Sequence, residues 1–346
     1  MITNRTISVL VALALFVGGL GTAAHAGPQG TGRGSLLVFP YFDSTPGSGT
    51  VVTVTNLNDS GEYCPTSDTR AGDITVHFQY INGETSEEYD LFEWLTPGDT
   101  LSVIVSQHNP RMNEGFLVVT ATRPYEQQGA TAVDFDWLFG SAIVVQSGLD
   151  LLWSYPAYAF SGIEESSPCD LVPTDADGDG ATDFDGVEYD TFPSEILIDS
   201  FFEEGASISN RLILCTTAGR TRTSEIEVYV YNNIARAHSA SHEMPTFWQG
   251  ALSEISYAAE ALRGDPMESG LPVETGWVSI VGGRILDRSG NPVRDASGGV
   301  AKAPILGVFS QHVASAGFTI GQGLHFQGSL DGLEFFAGDS DPQMTP

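Results

Sequence analysis

The chain has 346 residues, with 44 Asp and Glu against 14 Lys and Arg, and a formal net charge of −30 at pH 7. Phosphate backbones and anionic lipid surfaces repel such a chain, so its composition excludes nucleic acid and acidic membranes as partners. The same balance favours cation binding, solubility and a saline environment.

At the start, Arg5 precedes an apolar run from Ile7 to Val17 that only Ser8 interrupts. Gly18, Gly19 and Gly21 follow, and Ala24-His25-Ala26 offers small residues at the −3 and −1 positions of a cleavage site. This order predicts a secretory signal peptide over residues 1–26. The run is shorter than the roughly 20 residues a membrane span needs, and no later segment is long and apolar enough for one. No Cys follows the cleavage site as a lipoprotein anchor requires, so the expected localisation is secreted, either extracellular or periplasmic.

Cys64, Cys169 and Cys215 then meet an oxidising compartment, with one disulfide and one thiol left over. Three cysteines allow three pairings. Cys64 and Cys169 lie in polar, turn-rich stretches, whereas Cys215 ends the apolar run Leu212-Ile213-Leu214, so the expectation is a Cys64–Cys169 bridge and a buried Cys215.

Short β-branched and aromatic runs dominate the first half: Val51–Thr55, Ile74–Phe78, Leu101–Val105 and Phe116–Val119. Turn clusters such as Pro46-Gly47-Ser48-Gly49, Asn82-Gly83 and Pro97-Gly98-Asp99 separate them, which indicates a sandwich or barrel. The second half repeats the order. Phe42, Val52 and Val54 match Phe202, Leu212 and Leu214 at an offset of 160. Ile74, Val76 and Phe78 match Ile226, Val228 and Val230 at 152, and Gly115-Phe116 matches Gly276-Trp277 at 161. Leu138-Phe139-Gly140 likewise resembles Ile305-Leu306-Gly307. The expected fold is therefore all-β: two tandem immunoglobulin-like or jelly-roll sandwiches over 33–163 and 195–336, an internal duplication. A single larger double-sheet domain is the alternative. Trp248, Leu252, Ile255, Ala259 and Leu262 recur at three- and four-residue steps before Gly264 and predict one helical insertion in the second sandwich. Residues 337–346 form a polar tail expected to be disordered.

An acidic linker, 164–194, joins the two predicted domains. Asp175, Asp177 and Asp179 occupy positions 1, 3 and 5 of a loop, Gly180 position 6, Ala181 position 7 and Asp183 position 9. Alternating oxygens with a glycine at the turn suit a hard cation. The segment resembles the calcium loops of thrombospondin type 3 repeats, dockerins and EF-hands, which implies calcium held by Asp175, Asp177, Asp179, Ala181 and Asp183. Position 12, an acid in dockerins and EF-hands, is Gly186 here; Asp185 or Glu188 stands near enough to close the loop instead. No flanking helix pair accompanies it. With calcium bound, the clustered carboxylates stop repelling one another and the linker becomes a rigid joint.

Three other groups bear on function. His238 and His242 are four residues apart, as zinc ligands on one helix face would be, but Ser239 follows the first His where a metalloprotease carries Glu, and Pro245 is close; two surface histidines in a loop is the preferred reading. Phe135, Trp137, Trp153, Tyr155 and Tyr158 suggest a sugar-stacking platform, although aromatics in strands usually fill cores. Asp90 with Glu93, and Glu203 with Glu204, lack any sign of facing each other across a cleft. The glycine-rich Gly317–Gly323 stretch has no following helix and is not a nucleotide site. The N-terminal Gly34–Phe42 segment, with Asn56, is similar to exported bacterial β-sandwich proteins of uncharacterised function. The reading is an exported, non-enzymatic structural or adhesive protein with a calcium-stabilised linker. Its partner is extracellular matrix, a cell surface, a polysaccharide or another copy. The alternative is a secreted carbohydrate-binding or carbohydrate-processing protein.

Overall fold

A computed structural model of the chain describes residues 32–335 apart from 60–70, 125–130, 147–150, 163–170, 177, 179–181, 185, 203, 205–206, 220–221, 233–236, 256–274, 296–297, 315–316, 328–329 and 331–332. The predicted signal peptide, Cys64, Cys169 and the tail 337–346 lie outside the described residues.

The fold is all-β, four antiparallel sheets consistent with two β-sandwiches. Sheet A runs, edge to edge, β4 (Glu88–Leu95), β3 (Ile74–Asn82), β6 (Glu114–Thr122), β1 (Leu36–Asp43) and β9 (Tyr158–Phe160). Sheet B runs β5 (Thr100–Ile104), β2 (Ser48–Asn56), β7 (Leu138–Gln146) and β8 (Leu151–Pro156). In the second half, sheet C runs β14 (Ala237–Met244), β13 (Thr223–Asn232), β16 (Thr275–Leu286), β11 (Glu195–Phe202) and β19 (His325–Gln327). Sheet D runs β15 (Phe247–Gly250), β12 (Ile208–Thr216), β17 (Ile305–Val313) and β18 (Phe318–Gly323). A separate ribbon pairs β10 (Thr182–Phe184), from the linker, with β20 (Leu333–Phe335).

Period-two patterning sets which face each strand buries. In β2, Val52 and Val54 are fully buried while Val51, Thr53 and Thr55 are half-buried. β1 and β6 differ: nearly every residue is buried, so these two strands are covered on both faces.

The two halves repeat strand for strand, sheet A corresponding to C and sheet B to D. Both β1 and β11 carry an irregularity, after Phe39 and after Ile198, and both recover with a Phe opposite a Gly: Phe42 with Gly115, Phe201 with Gly276. Across the next strand those glycines pair with Asn82 and Asn232. A Cβ on Gly115 would lie 1.9 Å from the Ile81 carbonyl oxygen, and one on Gly276 2.4 Å from that of Tyr231, so the same close backbone approach demands glycine in both halves. Register corrects two of the predicted offsets. Phe42 corresponds to Phe201 rather than Phe202, and β3 corresponds to β13 at an offset of 150 rather than 152. Apolar alternation cannot detect the two-residue slip in β3, because it leaves every side chain on the same face, and the one-residue slip at Phe42 falls at the irregularity in β1 and β11.

The predicted helical insertion is not seen among the described residues. Trp248 belongs to β15, paired with Leu214, and only Leu252–Glu254 turns, as a single 3-10 segment. Ala259 and Leu262 lie outside the described residues. Trp248 and Leu252 matched a helical period by chance of spacing, while edge pairing to β12 fixed the backbone as strand.

The halves share a core. On sheet D, Leu212, Leu214, Ile305 and Phe309 face sheet C, whereas Ile213, Cys215, Leu306 and Val308 on the other face join the first half's hydrophobic cluster. Tyr41 is sandwiched at this joint by Trp153 and Phe247, with ring centroids 6.0 and 6.3 Å away and planes within 13° and 8°. The glycine-rich β18 makes room: a Cβ on Gly321 would lie 2.4 Å from the Trp153 ring. Tyr158 Oη donates to the Gly307 carbonyl and accepts from the Leu324 amide at 2.6 Å.

Polar groups line the rim of this joint. Arg211 donates to Tyr41 Oη at 2.9 Å and to Gln146 Oε1 at 3.2 Å, and lies 3.4 Å from Glu114. Asp43, 2 % exposed, accepts from the Thr45 amide and hydroxyl and from Gln146 Nε2. Burial works to raise its pKa, but these donors outweigh burial and hold the carboxyl below its ordinary value. A depressed folded value means that the stability Asp43 contributes is complete above about pH 4 and is lost as pH falls through the folded value. Urea melts should therefore show Asp43→Asn well below wild type at pH 7, with the gap narrowing in acid; a gap independent of pH would contradict this ionisation.

Candidate functional site

The linker is built into the fold along its described residues. Its start is anchored to the first half, where Val133 bridges Pro173 and the Asp134 amide donates to the Val172 carbonyl at 2.8 Å. Its end supplies Phe184, Tyr189 and Phe192, all buried. Phe160 of β9 sits against Phe184 and Phe192 at 4.8 and 5.0 Å. Aromatic burial on this scale explains why an acidic segment holds one course.

Within that frame the acidic loop turns over a single carboxylate. Glu188, 4 % exposed, accepts from the Ala176 amide through Oε1 at 2.7 Å and from the Asp183 amide through Oε2 at 3.0 Å. One side chain thus clasps both ends of the predicted calcium loop. Asp175 Oδ1 accepts from the Gly178 amide at 2.7 Å, closing the first turn, with Gly178 at φ +79°. The Asp183 carbonyl accepts from the Tyr189 amide at 3.1 Å, and Tyr189 Oη lies 3.1 Å from Thr174 Oγ1. Burial pushes the Tyr189 hydroxyl's pKa well up, and Glu188, Asp134 and Asp136 nearby add to that rise.

A cavity of about 260 Å³ opens beside the loop, lined by Asp134, Thr174, Asp175, Ala176 and Glu188 among others. Asp134 is 3 % exposed and close to Asp136, whose carboxyl burial raises above its ordinary value. The cavity therefore gathers carboxylates from the linker and from the first half. Of the predicted ligands, Asp175 and Asp183 lie among the described residues, towards the two ends of the loop; Asp177, Asp179, Ala181 and Asp185 lie outside them. Among the described residues alone, no three His, Cys, Asp or Glu side chains form a metal-binding group.

The sequence pointed to Glu188, alongside Asp185, as an acid near enough to close the loop, and the loop's spacing gave no sign of Asp134. The available signal for Asp134 was its setting, an acid between the apolar residues Val133 and Phe135.

The other candidates come apart. His238 and His242 lie on the strand β14 rather than in a loop, four residues apart, which separates them by about 13 Å. His242 instead packs edge-on against Trp248 at 4.9 Å, and burial lowers its pKa. Phe135, Trp153, Tyr155 and Tyr158 are buried, and Trp137 is half-buried with Arg33 over its ring, so these aromatics form core rather than a sugar platform. On β4, Asp90 meets His77 and Glu93 meets His108, from opposite faces of the strand. Glu204 accepts from the Asn210 amide, and Glu203 lies outside the described residues. Cys215 is a buried free thiol, as expected, and burial pushes its pKa up. No helix among the described residues is long and apolar enough to cross a membrane.

Replacing Glu188 by Gln keeps one acceptor and turns an NH₂ toward an amide that needs one. Loss of about 2 kcal/mol of stability is expected in urea melts, since hydrogen bonds to charged groups contribute about 1.5–3 kcal/mol. Val187→Ala, at a neighbouring exposed position, should cost far less. No family model matches the chain, and no curated protein matches it in sequence.

Proposed function

We propose that this is an exported, non-enzymatic structural or adhesive protein, an internal duplication of an immunoglobulin-like or jelly-roll sandwich whose linker is fixed by calcium. The observation that carries this reading is the Glu188 clasp, a buried carboxylate that shapes the acidic loop exactly where linker and first half meet. In this reading Asp175, Asp177, Asp179, the Ala181 carbonyl, Asp183 and Asp185 supply the ligands, and Asp134 adds charge from the first half. Calcium neutralises carboxylates that otherwise repel one another. The linker then transmits orientation between the halves, which suits a protein that presents surfaces to matrix, cell or neighbouring copy.

One observation favours a second reading, carbohydrate binding. Tyr231 and Trp277 stack in parallel, with centroids 4.0 Å and planes 5° apart, on the outward face of sheet C, and Trp277 is 41 % exposed. Tyr231 holds the indole from one side, and the exposed surface of Trp277 is of the kind that stacks on a sugar face. Soluble polysaccharide should shift the tryptophan emission of wild type and leave Trp277→Ala unchanged if this reading holds.

The calcium reading is tested by melting residues 27–346 in millimolar calcium and in chelator. A ligand at about 100 times its Kd stabilises by about 2.7 kcal/mol, or roughly 4 °C for a chain of this size. Asp175→Asn with Asp183→Asn should shrink the shift, and magnesium should reproduce little of it. An unchanged melting temperature together with no calorimetric heat would reject calcium.

A further inference from the structure

The chain's exposed large apolar side chains are unevenly placed. Ile104 at 46 %, Phe139 at 37 %, Ile143 at 44 %, Val145 at 40 % and Leu152 at 62 % all point outward from sheet B. Register sets Ile104, Val51 and Ile143 in one row across three strands, and Val145 beside Leu152 in the next. Hydroxyl pairs continue the face: Thr53 with Ser102 at 2.9 Å and Thr55 with Thr100 at 3.1 Å. No outward side chain of β5, β2, β7 or β8 is charged, in a protein of net charge −30.

The corresponding face in the second half is already an interface. By register, Thr53 and Thr55 correspond to Ile213 and Cys215, and Phe139 and Ser141 to Leu306 and Val308. Those four residues are the ones sheet D buries against the first half. The same side of the same sheet is thus sealed within the chain in one repeat and open in the other.

We propose that the outward face of sheet B is a self-association surface, packing two-fold against the same face of a second copy of this chain. A second copy is the occupant because repulsion between two chains of this charge is smallest where neither presents a carboxylate. A head-to-tail arrangement is disfavoured: the outward face of sheet C carries the Glu225–Arg284 ion pair together with Glu227 and Glu243, and sheet B offers no charged partner for these groups once they are buried. Like faces meeting about a two-fold axis form a closed dimer. Four strands about 4.8 Å apart present on the order of 400 Å² per copy, below a standard interface, so the dimer is weak and strengthened by salt.

This inference deepens the structural reading by naming its partner, and the two fail separately: calcium-dependent melting is unaffected by whether copies associate. Sedimentation equilibrium of residues 27–346 should show a dimer that grows between about 10 and 500 µM and tightens from low to high salt. Ile143→Glu, at the centre of the face, should weaken association at least about tenfold, a loss of ~1.4 kcal/mol. Val300→Glu, which adds the same charge at an exposed apolar site elsewhere, should leave it near wild type. Leu152→Glu, on the edge strand and 62 % exposed, gives a second probe if Ile143→Glu folds poorly by circular dichroism. A monomer throughout the range at high salt, or association that survives both face variants, overturns the proposal.

Discussion

Tyr41, held between Trp153 and Phe247, is the contact on which the rest of the molecule depends. Trp153 comes from sheet B and Phe247 from sheet D, so one ring ties a sheet of each half together. Its hydroxyl is fully buried and has to be satisfied there, which Arg211, Asp43 and Glu114 accomplish. Cations are scarce in this chain, and placing one at the joint sets its charge against carboxylates where partial burial strengthens the attraction. Shape and charge act at one point: aromatic stacking fixes the distance between halves, and the guanidinium fixes their register.

The linker obeys the same logic on the far side. Phe184 and Phe192 bury themselves against Phe160, and Tyr189 packs on Phe184, so this apolar seam anchors the described end of the acidic linker. Glu188 turns inward to cap the Ala176 and Asp183 amides. Pairing of β10 with β20 then brings in the C-terminal part of the chain, so three stretches far apart in sequence meet at one loop.

Much of this was legible in the sequence, and what was not has definite physical causes. Strands with strong alternation, such as β2 and β3, were found where expected, and Cys215 is buried as its apolar neighbours implied. The repeat was visible because alternating apolar residues recur in order, Val52 and Val54 as Leu212 and Leu214, and because Gly115 recurs as Gly276. Strand β14, Ala-His-Ser-Ala-Ser-His-Glu-Met, was not legible: it is polar, and pairing with β13 makes it a strand rather than propensity. The Gly317–Gly323 stretch carries its meaning in another half of the molecule, since only the approach of Trp153 explains Gly321. The loop's spacing pointed to a cation and put Glu188 within reach of closing it, but that its two oxygens accept from the Ala176 and Asp183 amides is visible only in the fold.

The buried thiol of Cys215 has a consequence of its own. It lies in the seam between the halves, near Tyr155 and Tyr158, and takes the place that Thr55 holds on the open face of the first half. Deeply buried and held protonated, it reacts with an alkylating reagent only while the seam is parted. Its rate of labelling therefore follows how much of the protein is parted at any moment, and native chemistry has equipped the molecule with a gauge for the undocking of its two halves.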